Sequence, residues 1–73
     1  MEVVKEEITI YALVKLFPKS ADVMKNLGFL DIVRPGMLQT VGRVMTLKKG
    51  CKMKKINYNQ AKMAFLDIGI TFE

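Results

Sequence analysis

The chain has 73 residues, 51% of them hydrophobic, with a formal net charge of +5, no histidine, no tryptophan and a single cysteine. That length accommodates one small domain, residues 1–73, and excludes a second core. A lone Cys51 rules out an internal disulfide, and without histidine the usual Cys/His zinc spacing is absent.

The N-terminus, Met1 to Glu7, is charged and lacks the apolar stretch of a signal peptide, and no run of ~18 apolar residues exists for a membrane span. The chain therefore reads as cytoplasmic. Charge is uneven along it. Arg34, Arg43, Lys48, Lys49, Lys52, Lys54, Lys55 and Lys62 face only Asp67 and Glu73 in the later half, so the basic character belongs there. Such a patch attracts an acidic partner or nucleic acid through long-range electrostatics, and a simple solvated lysine face explains it equally well.

Hydrophobic periodicity predicts five short helices. Thr9 caps a first one in which Ile10, Leu13, Val14 and Phe17 recur at helical spacing, and Pro18 stops it. Ser20 is positioned to cap a second helix through Leu27, with Ala21, Met24 and Leu27 inward, and Gly28 suits its left-handed terminus. Phe29 to Val33 reads as a packed loop. After a Pro35-Gly36 turn, the spacing of Met37, Leu38, Val41, Val44 and Met45 predicts a third helix. Gly42 inside it costs about 1 kcal/mol relative to alanine, which implies close packing against another helix.

Thr46 caps a fourth segment from Leu47 to about Lys54, with Leu47, Gly50 and Cys51 on one arc and Lys48, Lys49, Lys52 and Lys55 on the opposite one. Lys54 breaks the pattern. Asn57 with Gln60 resembles a capping box for the last helix, whose inward face is Ala61, Ala64, Phe65 and Ile68, with Gly69 ending it. By β-propensity alone, Ile70 to Glu73 is extended, beside Glu2-Val3-Val4. The expected class is all-α: a compact bundle of about five short helices with short extended termini.

These residues resemble a family. The order from Ile8 to Ile70 is similar to a small helical domain family of uncharacterised function, often fused to sensory or hemerythrin-like modules. The match rests on the helix ending at Pro18, Ala21 to Gly28, Arg34-Pro35-Gly36-Met37-Leu38, Val41-Gly42-Arg43, Met45-Thr46-Leu47 and Lys52-Met53-Lys54 before Ile56-Asn57. Relatives of that family are redox-disulfide domains associated with hybrid-cluster proteins, and a more distant likeness is to the N-terminal domain of iron–sulfur-cluster repair proteins. Those relatives place a cysteine pair after the glycine that ends the second helix. Here Gly28 leads into Phe29, Leu30, Asp31, Ile32 and Val33. Thiol exchange needs an attacking thiolate and a resolving sulfur, so the resemblance implies the helical fold and no redox reaction.

No catalytic set emerges, because without histidine a general acid or base must come from scattered carboxylates that form no pair. No cofactor-binding motif is present. Cys51, on the inward arc, is expected to be buried and inert. The six methionines are expected to fill the core. Arg34 and Arg43 bracket the third helix and, with Lys48, Lys49, Lys52 and Lys55, are the candidates for anion or partner contact. The remaining alternative is a helix-turn-helix over Leu47 to Ile68, in which Asn59 and Gln60 would contact bases and the lysine arc phosphates. The leading expectation is a non-catalytic interaction or accessory module, acting on a protein partner or by self-association.

Overall fold

The computed structural model describes residues 1–73. In chain order it contains strand β1 (Glu2–Val4), helices α1 (Ile10–Leu16), α2 (Ser20–Leu27) and α3 (Pro35–Thr40), a 3-10 turn at Val41–Arg43, helices α4 (Leu47–Lys54) and α5 (Tyr58–Leu66), and strand β2 (Ile70–Phe72). The all-α expectation is overturned. β1 and β2 pair in parallel, Glu2 opposite Ile70 and Val4 opposite Phe72, which makes a mixed α/β fold. Parallel strands need a long crossover, and here the whole helical array supplies it.

Helix starts follow the local capping chemistry. The Thr9 hydroxyl accepts from the Ala12 N–H at 3.1 Å, Thr46 from Lys49 at 3.2 Å and the Asn57 carboxamide oxygen from Gln60 at 3.0 Å. Two of these caps also meet each other: Thr9 and Thr46 form an isolated antiparallel bridge, and the Ile10 N–H donates to the Met45 carbonyl at 2.8 Å. The starts of α1 and α4 are thereby held side by side.

Two helices depart from expectation. In α2 the cap position is Lys19, and Ser20 lies inside the helix, fully buried like Met24, with Val23 nearly so and Ala21 and Leu27 half-buried. The stripe Ser20, Val23, Met24, Leu27 has the i, i+3, i+4, i+7 spacing of a helix face, and it outweighs the capping preference of serine. Its Oγ has no hydrogen-bond partner.

The third helix stops at Thr40 and tightens into the 3-10 turn, so Val44 is exposed and does not face the core. Pro35 and Gly36 are its first residues and not a preceding turn. The Thr40 hydroxyl donates back to the Gly36 carbonyl at 2.9 Å, a bond that favours bending at a helix end. The change brings Gly42 against α1: a Cβ there would lie 3.6 Å from the Tyr11 backbone nitrogen.

One core joins Ile10 and Leu13 of α1, Val23 and Met24 of α2, Phe29 and Ile32 of the loop, Leu47 and Cys51 of α4, Ala61 and Phe65 of α5, and Ile70 of β2. The Phe29–Val33 loop is packed as expected. Phe72 closes the sheet side through an edge-to-face contact with Phe65, centroids 5.4 Å apart.

Two glycines make close approaches of different kinds, and substitution separates them. A Cβ on Gly50 would stand 3.0 Å from Cε1 of Phe29, a ring that is fully buried and cannot yield, so Gly50→Ala is expected to lose about 1 kcal/mol net after the helix-propensity gain. At Gly42 the nearest atom is the mobile Cδ1 of Leu38 at 3.1 Å, and Gly42→Ala is expected to stay within about 0.5 kcal/mol of the parent. Urea denaturation of the two variants checks the contrast; equal stabilities would refute it.

Candidate functional site

The six basic candidates do not form one site. Burial of Leu47, Gly50 and Cys51 turns Lys48, Lys49 and Lys52 outward on α4, while Lys55 ends that helix in the left-handed region at φ 58°. Arg43, Lys48 and Lys49 share a polar groove of about 490 Å³ with Glu6 and Glu7, between the capping residues Thr9 and Thr46. Lys52 joins Lys48 and Lys49 in a second groove floored by Ile56 and Tyr58. Arg34, the cap of α3, and Lys55 stand outside both.

The arginine is already occupied: the Arg43 guanidinium lies 4.5 Å over the Tyr11 ring and donates to its hydroxyl at 3.4 Å. With carboxylates on the same walls, the first groove is a mixed-charge trench and not an anion cradle.

Sequence reasoning missed the contact that organises this side. The Tyr58 hydroxyl donates to Glu6 Oε2 at 2.6 Å, tying the segment after β1 to the start of α5. Lys62 lies 4.9 Å and Lys48 6.0 Å from the centre of the Tyr58 ring. The tyrosine hydrogen bond is the main cause that lowers the Glu6 pKa, with burial opposing and Lys48 and Lys62 assisting. Burial, then the bond to Glu6, pushes the Tyr58 phenol well above its usual range. Residues so far apart in sequence leave no local signal of this pairing.

A lowered carboxylate pKa gives stability that is present above the ordinary value near 4.5 and is lost as pH falls through the lower folded value. Tyr58→Phe is therefore expected to flatten the acid side of the profile. Thermal denaturation at pH 7 and pH 3 checks it, and parallel declines in parent and variant would refute it.

Cys51 is 1% exposed, and burial pushes its thiol pKa up. Both effects suppress the thiolate. An aromatic disulfide reagent at pH 7.5 is expected to label it slowly in native buffer and at once in urea; rapid native labelling would refute the assignment. No group of His, Cys, Asp or Glu side chains is arranged to hold a metal ion.

The apolar surface is the part the sequence misassigned. Of the methionines, Met24 is fully buried, whereas Met1, Met37, Met53 and Met63 are exposed, so core filling does not describe them. Met53 stood among Lys52, Lys54 and Lys55 as the one apolar residue in a basic run, a signal that pointed outward.

Met37, Met45 and Met53 converge from three segments around a cleft of about 160 Å³, whose floor is Phe29, Ile32 and Val41 and whose rim carries Asp31 and Lys54. A second, shallower groove of about 360 Å³ runs between α5 and β2, lined by Met63, Leu66, Ile70 and Phe72 with Asn59 and Lys62. Asn59 thus borders an apolar groove containing none of the α4 lysines, and Gln60 is exposed beside its cap.

A family model described as "Domain of unknown function (DUF1858)" matches residues 4–60. That span contains the methionine cleft in full and stops before Met63, Leu66 and β2. No curated protein and no solved structure matches the chain.

Proposed function

We propose, for a chain that belongs to the DUF1858 family of domains of unknown function, a non-catalytic role as a protein-interaction module whose contact surface is the cleft framed by Met37, Met45 and Met53. The observation that carries this reading is the cleft itself. Its volume of about 160 Å³ lies below the ~300–1,000 Å³ of small-molecule sites and suits one or two inserted side chains. Thioether side chains repack at low energy, which is why methionine frames adaptable binding surfaces.

Catalysis has little to draw on. Cys51 is buried with a suppressed thiolate, and Tyr58 and Glu6 are bonded to each other. The loop after Gly28, the place of the cysteine pair in the redox-disulfide relatives that the sequence resembles, is filled here by Phe29 and Ile32, both core residues. The kinship proposed from that resemblance is one of scaffold alone, since in this chain the loop serves as packing.

A second reading, nucleic-acid binding through the α4–α5 hairpin, draws on the common outward face of Lys48, Lys49 and Lys52. Counterion release alone predicts weak, sequence-indifferent binding that falls steeply with salt.

The two readings are separated by one pair of measurements. In affinity capture from the native host, Met53→Asp is expected to lose partners that Met63→Asp retains; equal capture by both would overturn the cleft as contact surface. By fluorescence anisotropy at two salt concentrations, duplex DNA is expected to bind weakly without sequence preference. A preference abolished by Gln60→Ala would replace the interaction reading with the nucleic-acid one.

A further inference from the structure

We propose that the occupant of the methionine cleft is a second copy of this chain, docked two-fold so that Leu30 of each copy enters the cleft of the other while Asp31 of each meets Lys54 of the other. The inference rests on the interaction-module reading above and names its partner.

The loop after α2 supplies both parts of such a contact. Phe29 and Ile32 turn inward to floor the cleft, and Leu30, between the lining residues Phe29 and Asp31 in sequence, does not line it and is 61% exposed, a large aliphatic side chain in the same loop. A projection and a recess carried by one loop are what an isologous contact requires, because the two-fold axis carries each onto the other.

Charge narrows the choice of occupant. The rim carries one acid, Asp31, and one base, Lys54. A uniformly acidic or basic partner would meet a like charge at one of them, whereas a second copy satisfies both across the axis. The groove between α5 and β2 lacks this property, since Lys62 is the one charged side chain along it.

A chain of net charge +5 opposes its own association unless the basic faces stay apart, and the helical phase of α4 arranges this. At 3.6 residues per turn, Gly50, Met53 and Lys54 occupy the arc opposite Lys48 and Lys52, with Lys49 between the two arcs on the Met53 side. Two-fold docking through the cleft leaves Lys48 and Lys52 pointing away from the axis.

Sedimentation equilibrium from about 1 µM to 1 mM tests the proposal. The parent is expected to dimerise, and Leu30→Glu to weaken dimerisation by more than about tenfold, as expected for losing a buried leucine. Leu30 is exposed, so the variant retains its fold, checked by circular dichroism; Leu30→Gln serves as the uncharged control and is expected to weaken association in the same direction.

The decisive arm uses charge reversal. Asp31→Lys and Lys54→Asp are each expected to weaken self-association, and their equimolar mixture to associate more strongly than either alone, because opposite charges then face each other at both ends of the interface. Only a contact between chains gives that recovery. A parent that stays monomeric at 1 mM, a dimer indifferent to Leu30→Glu, or a mixture no stronger than its components would each overturn self-docking. If self-docking fails while Met53→Asp still loses captured partners, the interaction-module reading stands; if that loss is also absent, both fall.

Discussion

The Phe29 ring lies against bare backbone at Gly50, and the position of the loop after α2 follows from that contact. A side chain on α4 at this point would reach the ring at 3.0 Å, so glycine is what lets an aromatic residue outside any helix become part of the core. Once Phe29 is seated, Ile32 follows it inward and Leu30 is turned to solvent. The same contact sets the distance between the loop and α4, leaving the recess that Met37, Met45 and Met53 surround. The core and the surface cleft are two sides of one packing event.

The rest of the scaffold holds that event in place from a distance. The paired caps Thr9 and Thr46 align the starts of α1 and α4, and the parallel pairing of β1 with β2 closes the chain ends over Phe65 and Phe72. The bond between Tyr58 and Glu6 adds a third tie between the N-terminal segment and α5. Each links elements far apart in sequence, which matters in a chain too short to rely on core size alone.

Charge and apolar surface are segregated around α4. Its lysine arc borders a polar groove in which Glu6 and Glu7 from the N-terminal segment already balance part of the positive field. Its opposite arc, through Gly50, Met53 and Lys54, borders the cleft. A helix of eight residues thereby presents solvated charge on one side and an adaptable apolar contact on the other, and no helix of the chain is long and apolar enough to cross a membrane.

The positions of the helices were legible because caps and periodicity are local: Thr9, Thr46 and Asn57 each bond their own first turn, and Leu47, Gly50 and Cys51 recur at helical spacing. Local signals misled where a side chain satisfied two rules, as with Ser20, a good cap by chemistry and a core residue by phase. β-propensity placed an extended Ile70 to Glu73 beside Glu2 to Val4, and those segments do pair; that they form a parallel sheet which makes the fold α/β was beyond local reach, since strands of three residues gain their stability from each other across the whole chain. The same holds for the site. The residue order alone identified a basic later half, but Arg43 stacked on Tyr11, Glu6 bonded to Tyr58 and three methionines around one recess are convergences that only tertiary packing decides.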